Sequence, residues 1–419
     1  MKLLTGKINF STLVTYLIIL VIQMCTVLST QAQHFFFTGK KTKDAIGFEL
    51  VKNLVIIPIY LNNQGPFNFI LDTGVGPLII TDASLIDSLK IQVSRTIKIA
   101  GLGKGDEIDA FLSSDVSAKI GDARIEYIPT AILKKDIFGL SNYLGIKIHG
   151  LIGYYFFNSF LVELKYTGKR LLFSDPGVKT KIKGEKIPIV IDTYKPYINV
   201  SIESPEHGKL NLKTLVDNGA SHALSLERLN EQPFPVPANT IPGNLGVGMS
   251  GPIDGNIGRV SFLKIGSYTL KNVLVSYPKY DDVAAKILLK DRNGNLGADI
   301  LSRFNIVFDY PNNAMYIKKN SQFNRRFDHD MSGIELYADD GDKREIRYFV
   351  SRIERDSPAQ EVDIRVDDQI LTINFVPVTS YKLTEINNLL KAADGKTIIL
   401  SIQRNNELLV KVFKLKQRI

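Results

Sequence analysis

The chain has 419 residues, 44% of them hydrophobic and 23% charged, with a net charge of +9. That length allows two or three domains with a sizeable core. Its basic residues are scattered, which excludes the clustered stripe of a nucleic-acid footprint. The single cysteine, Cys25, lies in the N-terminal segment, so downstream of it disulfides, thiolate nucleophiles and cysteine metal sites are excluded.

The first element in chain order is an address. Lys2 and Lys7 precede an apolar run over 10–28, and small residues follow up to Ala32. A positive start, an apolar stretch and a small-residue exit predict a secretory signal peptide over residues 1–33, and hence a periplasmic or extracellular protein. The run is long enough for the alternative, a membrane anchor formed by residues 10–28. Gln23-Met24 lack the small side chains that would make Cys25 a lipid acceptor. Sequencing the N-terminus of protein recovered from the envelope or medium should read Gln33 or His34; an intact Met1 on a membrane-bound product would mark an anchor.

A repeat follows. Gly150, Gly153, Phe160 and Tyr166 recur without a gap as Gly294, Gly297, Phe304 and Tyr310, an offset of 144 residues. Upstream, an apolar strand runs into Asp72-Thr73-Gly74 in one copy and into Asp217-Asn218-Gly219 in the other, an offset of 145. Each copy then carries a glycine-rich turn, at 101–105 and 246–251, and a short strand and turn ending near Gly121 and Gly266. Residues 47–319 therefore read as a duplicated lobe, divided into 47–179 and 180–319. Short β-branched or aromatic runs at 55–61, 197–202 and 273–277 predict strands. Helices are expected only after Gly153 and Gly297 and near 82–90. The fold class expected is mainly β: two pseudosymmetric all-β lobes with a cleft between them.

In such a pair, one position from each copy can approach the axis and meet its mate. Two carboxylates about 4 Å apart repel by roughly 4 kcal/mol at an effective dielectric near 20, so they hold one proton between them and titrate as a unit. The ionised member can take a proton from water while the protonated member donates to a carbonyl. Asp72 and Asp217 are the expected pair. Water is then the nucleophile, and neither a metal nor a cofactor is expected; the five histidines have no metal-ligand spacing.

Asp72-Thr73-Gly74, Asp217-Asn218-Gly219-Ala220-Ser221 and the segments Leu151-Ile152-Gly153 and Asn295-Leu296-Gly297 resemble the aspartic protease superfamily, its retropepsin-like branch above all. The resemblance implies one catalytic aspartate per lobe. It also implies loops locked together by the hydroxyls that follow, with Thr73, Gly74, Asn218 and Gly219 as supporting residues. Apolar-apolar-glycine segments would pack behind the loops, and a flap would close over substrate near Gly101, Leu102 and Gly103. Asn218 departs from the family's Thr or Ser, so one side of the lock is expected to use an amide, which both donates and accepts.

After a polar linker at 320–330, residues 331–417 resemble a bacterial PDZ domain, a small α+β unit, through Ser357-Pro358-Ala359, the run 366–374 and a helix near 383–392. Asp363 and Asp367 stand where glycines are usual. The resemblance implies a peptide added as a strand beside Tyr348, Phe349 and Val350 and the helix face of Ile386 and Leu390. The function expected is an exported aspartic endopeptidase acting on peptide or protein substrates, its PDZ-like domain binding substrate or partner peptides. The alternative is a catalytically silent adaptor on the same fold.

Overall fold

The computed structural model describes residues 34–419 apart from 100–106, 137, 179–180, 205–207, 249–250, 280–290 and 340–345. The expected signal peptide over 1–33 and the expected flap residues Gly101, Leu102 and Gly103 therefore lie outside the described residues. Among the described residues no helix is long and apolar enough to cross a membrane.

The two halves repeat one strand arrangement. In the first, Gln64–Leu71 runs parallel to Gly150–Ile152, which is antiparallel to Leu78–Ile80, which is parallel to Thr130–Leu133. In the second, Gly208–Asp217, Gly294–Gly297, Leu224–Leu226 and Tyr268–Pro278 follow in the same order with the same directions. Tight turns carry this plan. Lys52-Asn53 and Thr193-Tyr194 both adopt positive φ (47° and 69°, 47° and 67°), the twist-matched geometry of two-residue hairpins.

A six-stranded sheet joins the halves, in the order Glu185–Pro188, Ala314–Lys319, Phe304–Asp309, Leu161–Lys165, Arg170–Ser174, Lys43–Gly47. At its centre Glu163 stands opposite Val307, with Val162 opposite Phe308 and Leu164 opposite Ile306. Glu163 and Val307 are themselves 144 residues apart, the offset of the repeat, so the pseudo-dyad passes through this pair. Phe156, Phe157, Phe160, Phe173, Phe304 and Phe308 are wholly or almost wholly buried behind it, and one apolar core runs through both halves. Each such ring contributes about 1.5–3 kcal/mol on burial. The first lobe starts earlier than the repeat suggests, because Phe36–Phe37 pairs with Ala123–Ile125 and Lys43–Gly47 with Arg170–Ser174.

The segment 320–330 is polar in composition yet seated. Arg303, with no exposed surface, donates to the carbonyls of Asp299, Arg325 and Arg326, and its guanidinium lies 3.5 Å from the centre of the Phe327 ring. Buried polar hydrogens rarely go unpaired, and three main-chain carbonyls satisfy this one cation.

The C-terminal unit has its own core, including Ile334, Val350, Ile370, Ile386, Ile398 and Leu400. Its sheet runs Ile334–Asp339, Arg347–Ile353, Gln369–Ile373, Thr397–Arg404, Glu407–Lys414. Ser357 caps the short helix Pro358–Glu361 by accepting the Gln360 N–H, and a second helix spans Leu383–Leu389. Asp363 and Asp367 take φ of 55° and 67°, the left-handed geometry that glycine would fill and that aspartate tolerates. The expected peptide groove needs correction. Tyr348, Phe349 and Val350 lie on an interior strand, paired with Ile334–Asp339 on one side and with Gln369–Ile373 on the other. Ile386 and Leu390 are buried in the core rather than facing a groove. The sheet ends in Ile334–Asp339 on one side and Glu407–Lys414 on the other. Apolar spacing marks strands but does not say which of them ends a sheet.

Candidate active site

Each aspartate stands at the end of a strand whose neighbour fixes the loop that follows. Gly150–Ile152 pairs with Gln64–Leu71, and the Asp72 N–H donates to the Ile152 carbonyl at 2.8 Å. In the other lobe Asp217 lies opposite Gly297 in the same register. A Cβ on Gly153 would collide with the Asp72 carbonyl oxygen, and one on Gly297 with the His222 carbonyl oxygen. Only glycine lets these segments back onto the loops so closely.

The loops bring Asp72 and Asp217 together, the carboxyl of Asp72 lying against Gly219 and that of Asp217 against Gly74. Gly74 donates its N–H to Asp72 Oδ1 at 2.6 Å and Gly219 donates to Asp217 Oδ1 at 3.0 Å. A Cβ on Gly74 would sit 3.0 Å from Asp72 Oδ1 and 3.1 Å from Asp217 Oδ2. Burial, then the negative charge of Asp217, pushes the Asp72 carboxyl well above its ordinary range. Tyr154, Tyr194 and Tyr310 form an aromatic cluster in this region, with rings 4.8 Å and 6.4 Å apart. The Tyr310 hydroxyl is pushed up by burial first and then by the charges of both aspartates.

Thr73 joins the two loops through both faces of its hydroxyl, and Asn218 through only one end of its amide. Thr73 donates its hydroxyl to the Val216 carbonyl at 2.7 Å and accepts the Asn218 N–H at 3.1 Å. Asn218 Oδ1 accepts the Thr73 N–H at 2.7 Å, but its Nδ2 is buried without a hydrogen-bond partner. The amide therefore replaces the accepting half of a hydroxyl and not the donating half. Its planar Nδ2 is one atom further out and finds no carbonyl.

Asn295 was not assigned a role from the sequence. Its Nδ2 donates to Asp217 Oδ2 at 2.7 Å. The equivalent position in the first lobe, 144 residues earlier, is Leu151, which has no side-chain donor. The signal was visible in the repeat, where a polar residue stands opposite an apolar one. Lys195 was also missed. It occupies the hairpin position of Leu54 in the other lobe, and burial, then the charge of Arg292, lowers its ammonium against the opposing pull of Asp217 and Asp72. Each hairpin tip reaches across to the other lobe: Asn53 Nδ2 donates to the Ser221 carbonyl at 3.5 Å, and Tyr194 packs on Gly76.

The proposed flap at Gly101, Leu102 and Gly103 falls outside the described residues, but the strands on either side, Arg95–Ile99 and Ile108–Ser113, pair as a hairpin. Its counterpart in the second lobe is formed by Ile241–Gly248 and Gly251–Ile265.

Against known families, residues 57–156 match the model described as aspartyl protease, and residues 349–404 match the one described as PDZ domain. No curated protein matches the chain. The first match ends within the N-terminal lobe; the second lobe is tied to it by repeated strand order and register. The chain therefore carries one segment similar to aspartyl proteases, followed toward the C-terminus by one similar to PDZ domains.

Proposed function

We propose that the chain is an aspartic endopeptidase in which Asp72 and Asp217 activate water between them. The observation that carries this is the convergence of the two carboxyls on one another's glycine loops at the end of equivalent strands. Their surroundings are unequal. Each accepts the N–H of the glycine two residues on, but only Asp217 also accepts from Asn295, whereas Asp72 is driven toward its protonated form by burial. Asp217 is then the base that takes a proton from water, and Asp72 the acid that donates to the scissile carbonyl. The tetrahedral intermediate collapses as the leaving amine takes from Asp217 the proton that came from water and a hydroxyl of the intermediate returns one to Asp72, so the pair regains its shared proton. The chain's PDZ domain supplies a second peptide-binding unit.

Digestion of a mixed peptide pool with and without pepstatin tests this reading. New termini that vanish with the inhibitor are expected; a pool left intact would favour the silent adaptor.

Asn295 sets the asymmetry. In Asn295→Leu the second lobe takes the side chain of the first, and the pair loses a donor to its charged form. A hydrogen bond to a charged group is worth about 1.5–3 kcal/mol. The acid limb of the kcat/KM profile should move up, and stability at neutral pH should fall by no more than that amount. An unmoved limb would remove Asn295 from the machinery.

A further inference from the structure

Ile334–Asp339 ends the PDZ sheet, and among the described residues no strand pairs with its outer side. Its inner partner is Arg347–Ile353, so this edge, beside the start of helix Leu383–Leu389, is where an added peptide strand would lie. That lane is already filled. The short helix Leu140–Leu144 of the first protease lobe packs on the edge strand. Gly145, which ends that helix with φ of 70°, points its Cβ position 3.2 Å from Leu383 Cβ and 3.6 Å from Ala338 Cβ. An added strand runs about 4.7–4.9 Å from the edge it joins, so it would need the space Gly145 takes.

Polar contacts hold the same face to both lobes. Asn244 Nδ2 donates to Glu335 Oε2 at 3.1 Å, Arg352 lies 3.3 Å from Asp254, and Lys382 lies 3.6 Å from Glu49. Asn244 and Asp254 belong to the hairpin of the second lobe, Glu49 to the first. From this seat the contact continues inward. The Lys52 ammonium, in the field of Glu335, lies 3.4 Å from the centre of the Tyr143 ring, and the adjacent Asn53 donates its Nδ2 to the carbonyl of Ser221, in the loop that follows Asp217, at 3.5 Å.

We propose that the protease lobes themselves occupy the peptide-accepting edge of the PDZ domain, so that this docking and the capture of an extended peptide exclude one another. Capture then frees the PDZ domain from a seat that spans both lobes and ends two contacts from the Asp217 loop. The exclusion rests on the strand-addition reading of the PDZ domain and not on peptidase activity.

The absence of cysteine downstream of Cys25 allows a direct test. Cysteines in Gly145→Cys/Ala338→Cys would place their Cβ atoms 3.6 Å apart, within disulfide range. Peptide capture is read with a pool of random decapeptides having free C-termini, on full-length protein also carrying Asp72→Asn so that the pool survives. The oxidised form should retain at least about tenfold less of the pool than the reduced form. A charge-reversed variant, Glu335→Lys/Arg352→Glu/Lys382→Glu, leaves both cores untouched. It should show faster amide exchange at 140–145 and 334–339, unchanged exchange at 398–402, and the most peptide. Equal retention by oxidised and reduced protein, or exchange at 334–339 indifferent to charge reversal, would overturn the proposal. Since neither readout requires cleavage, a protein that never cuts a peptide would leave it standing.

Discussion

Asp72→Asn is expected to reduce peptide cleavage by on the order of 10⁴-fold, the scale of a positioned acid or base, while raising stability at neutral pH. The substitution keeps the shape of the side chain and an oxygen to accept the Gly74 N–H, and it gives Asp217 a permanent donor where it now has a titrating one. The sign of the stability change follows from linkage. Asp72 in the folded protein has its carboxyl raised well above the ordinary value of 3.8, so the folded state holds a proton that the unfolded state has lost. Stability therefore falls as pH rises from about 4 through the raised range. Asparagine cannot ionise and removes that fall. The gain in melting temperature should be largest above the raised range and should close as pH drops toward 4. A variant no more stable than wild type at neutral pH would mean that burial does not strain this carboxyl. A variant that still cleaves at the wild-type rate would remove Asp72 from the chemistry.

The second large effect lies at the lock. Asn218→Leu leaves the buried Thr73 N–H without its acceptor, and an orphaned buried donor costs about 1–3 kcal/mol. Because this bond ties the loop of Asp72 to the loop of Asp217, activity should fall by more than tenfold as well. Asn218→Thr goes the other way. A threonine hydroxyl can accept the same N–H and donate to the Leu71 carbonyl, the equivalent of the bond from Thr73 to Val216. It also removes the unpaired Nδ2. A gain of about 1–3 kcal/mol is expected, read by denaturant unfolding with activity retained. Equal stability of the asparagine and threonine forms would show that Nδ2 is satisfied in solution.

The fold was legible where the sequence repeats itself. The offset between Gly150 and Gly294 predicts equivalent strands, and the Glu163–Val307 pair at the dyad carries the same offset. Asp72, Asp217 and the glycines backing them were legible because close backbone approach admits few residue types. Other features were not. Asn295 acts through one hydrogen bond across neighbouring strands, and a polar residue in an apolar strand has several common explanations. The edge of the PDZ sheet was misplaced because Ile334–Asp339 and Arg347–Ile353 are equally strand-like in composition; only their pairing shows which is free. The seating of the PDZ domain on Gly145 joins it to Ala338 and Leu383, residues far away in sequence, with no local pattern to announce it.

The most direct test of the central claim is cleavage of the peptide pool in water enriched with oxygen-18, read by mass spectrometry. Wild-type protein should yield new C-terminal carboxylates carrying one labelled oxygen from the attacking water, with no covalent peptide–enzyme adduct. The label should disappear with pepstatin and in Asp217→Asn. Labelled termini formed equally by the Asp72→Asn/Asp217→Asn double variant, or a pool left uncut by wild type across the acidic and neutral range, would contradict a water held between these two carboxyls.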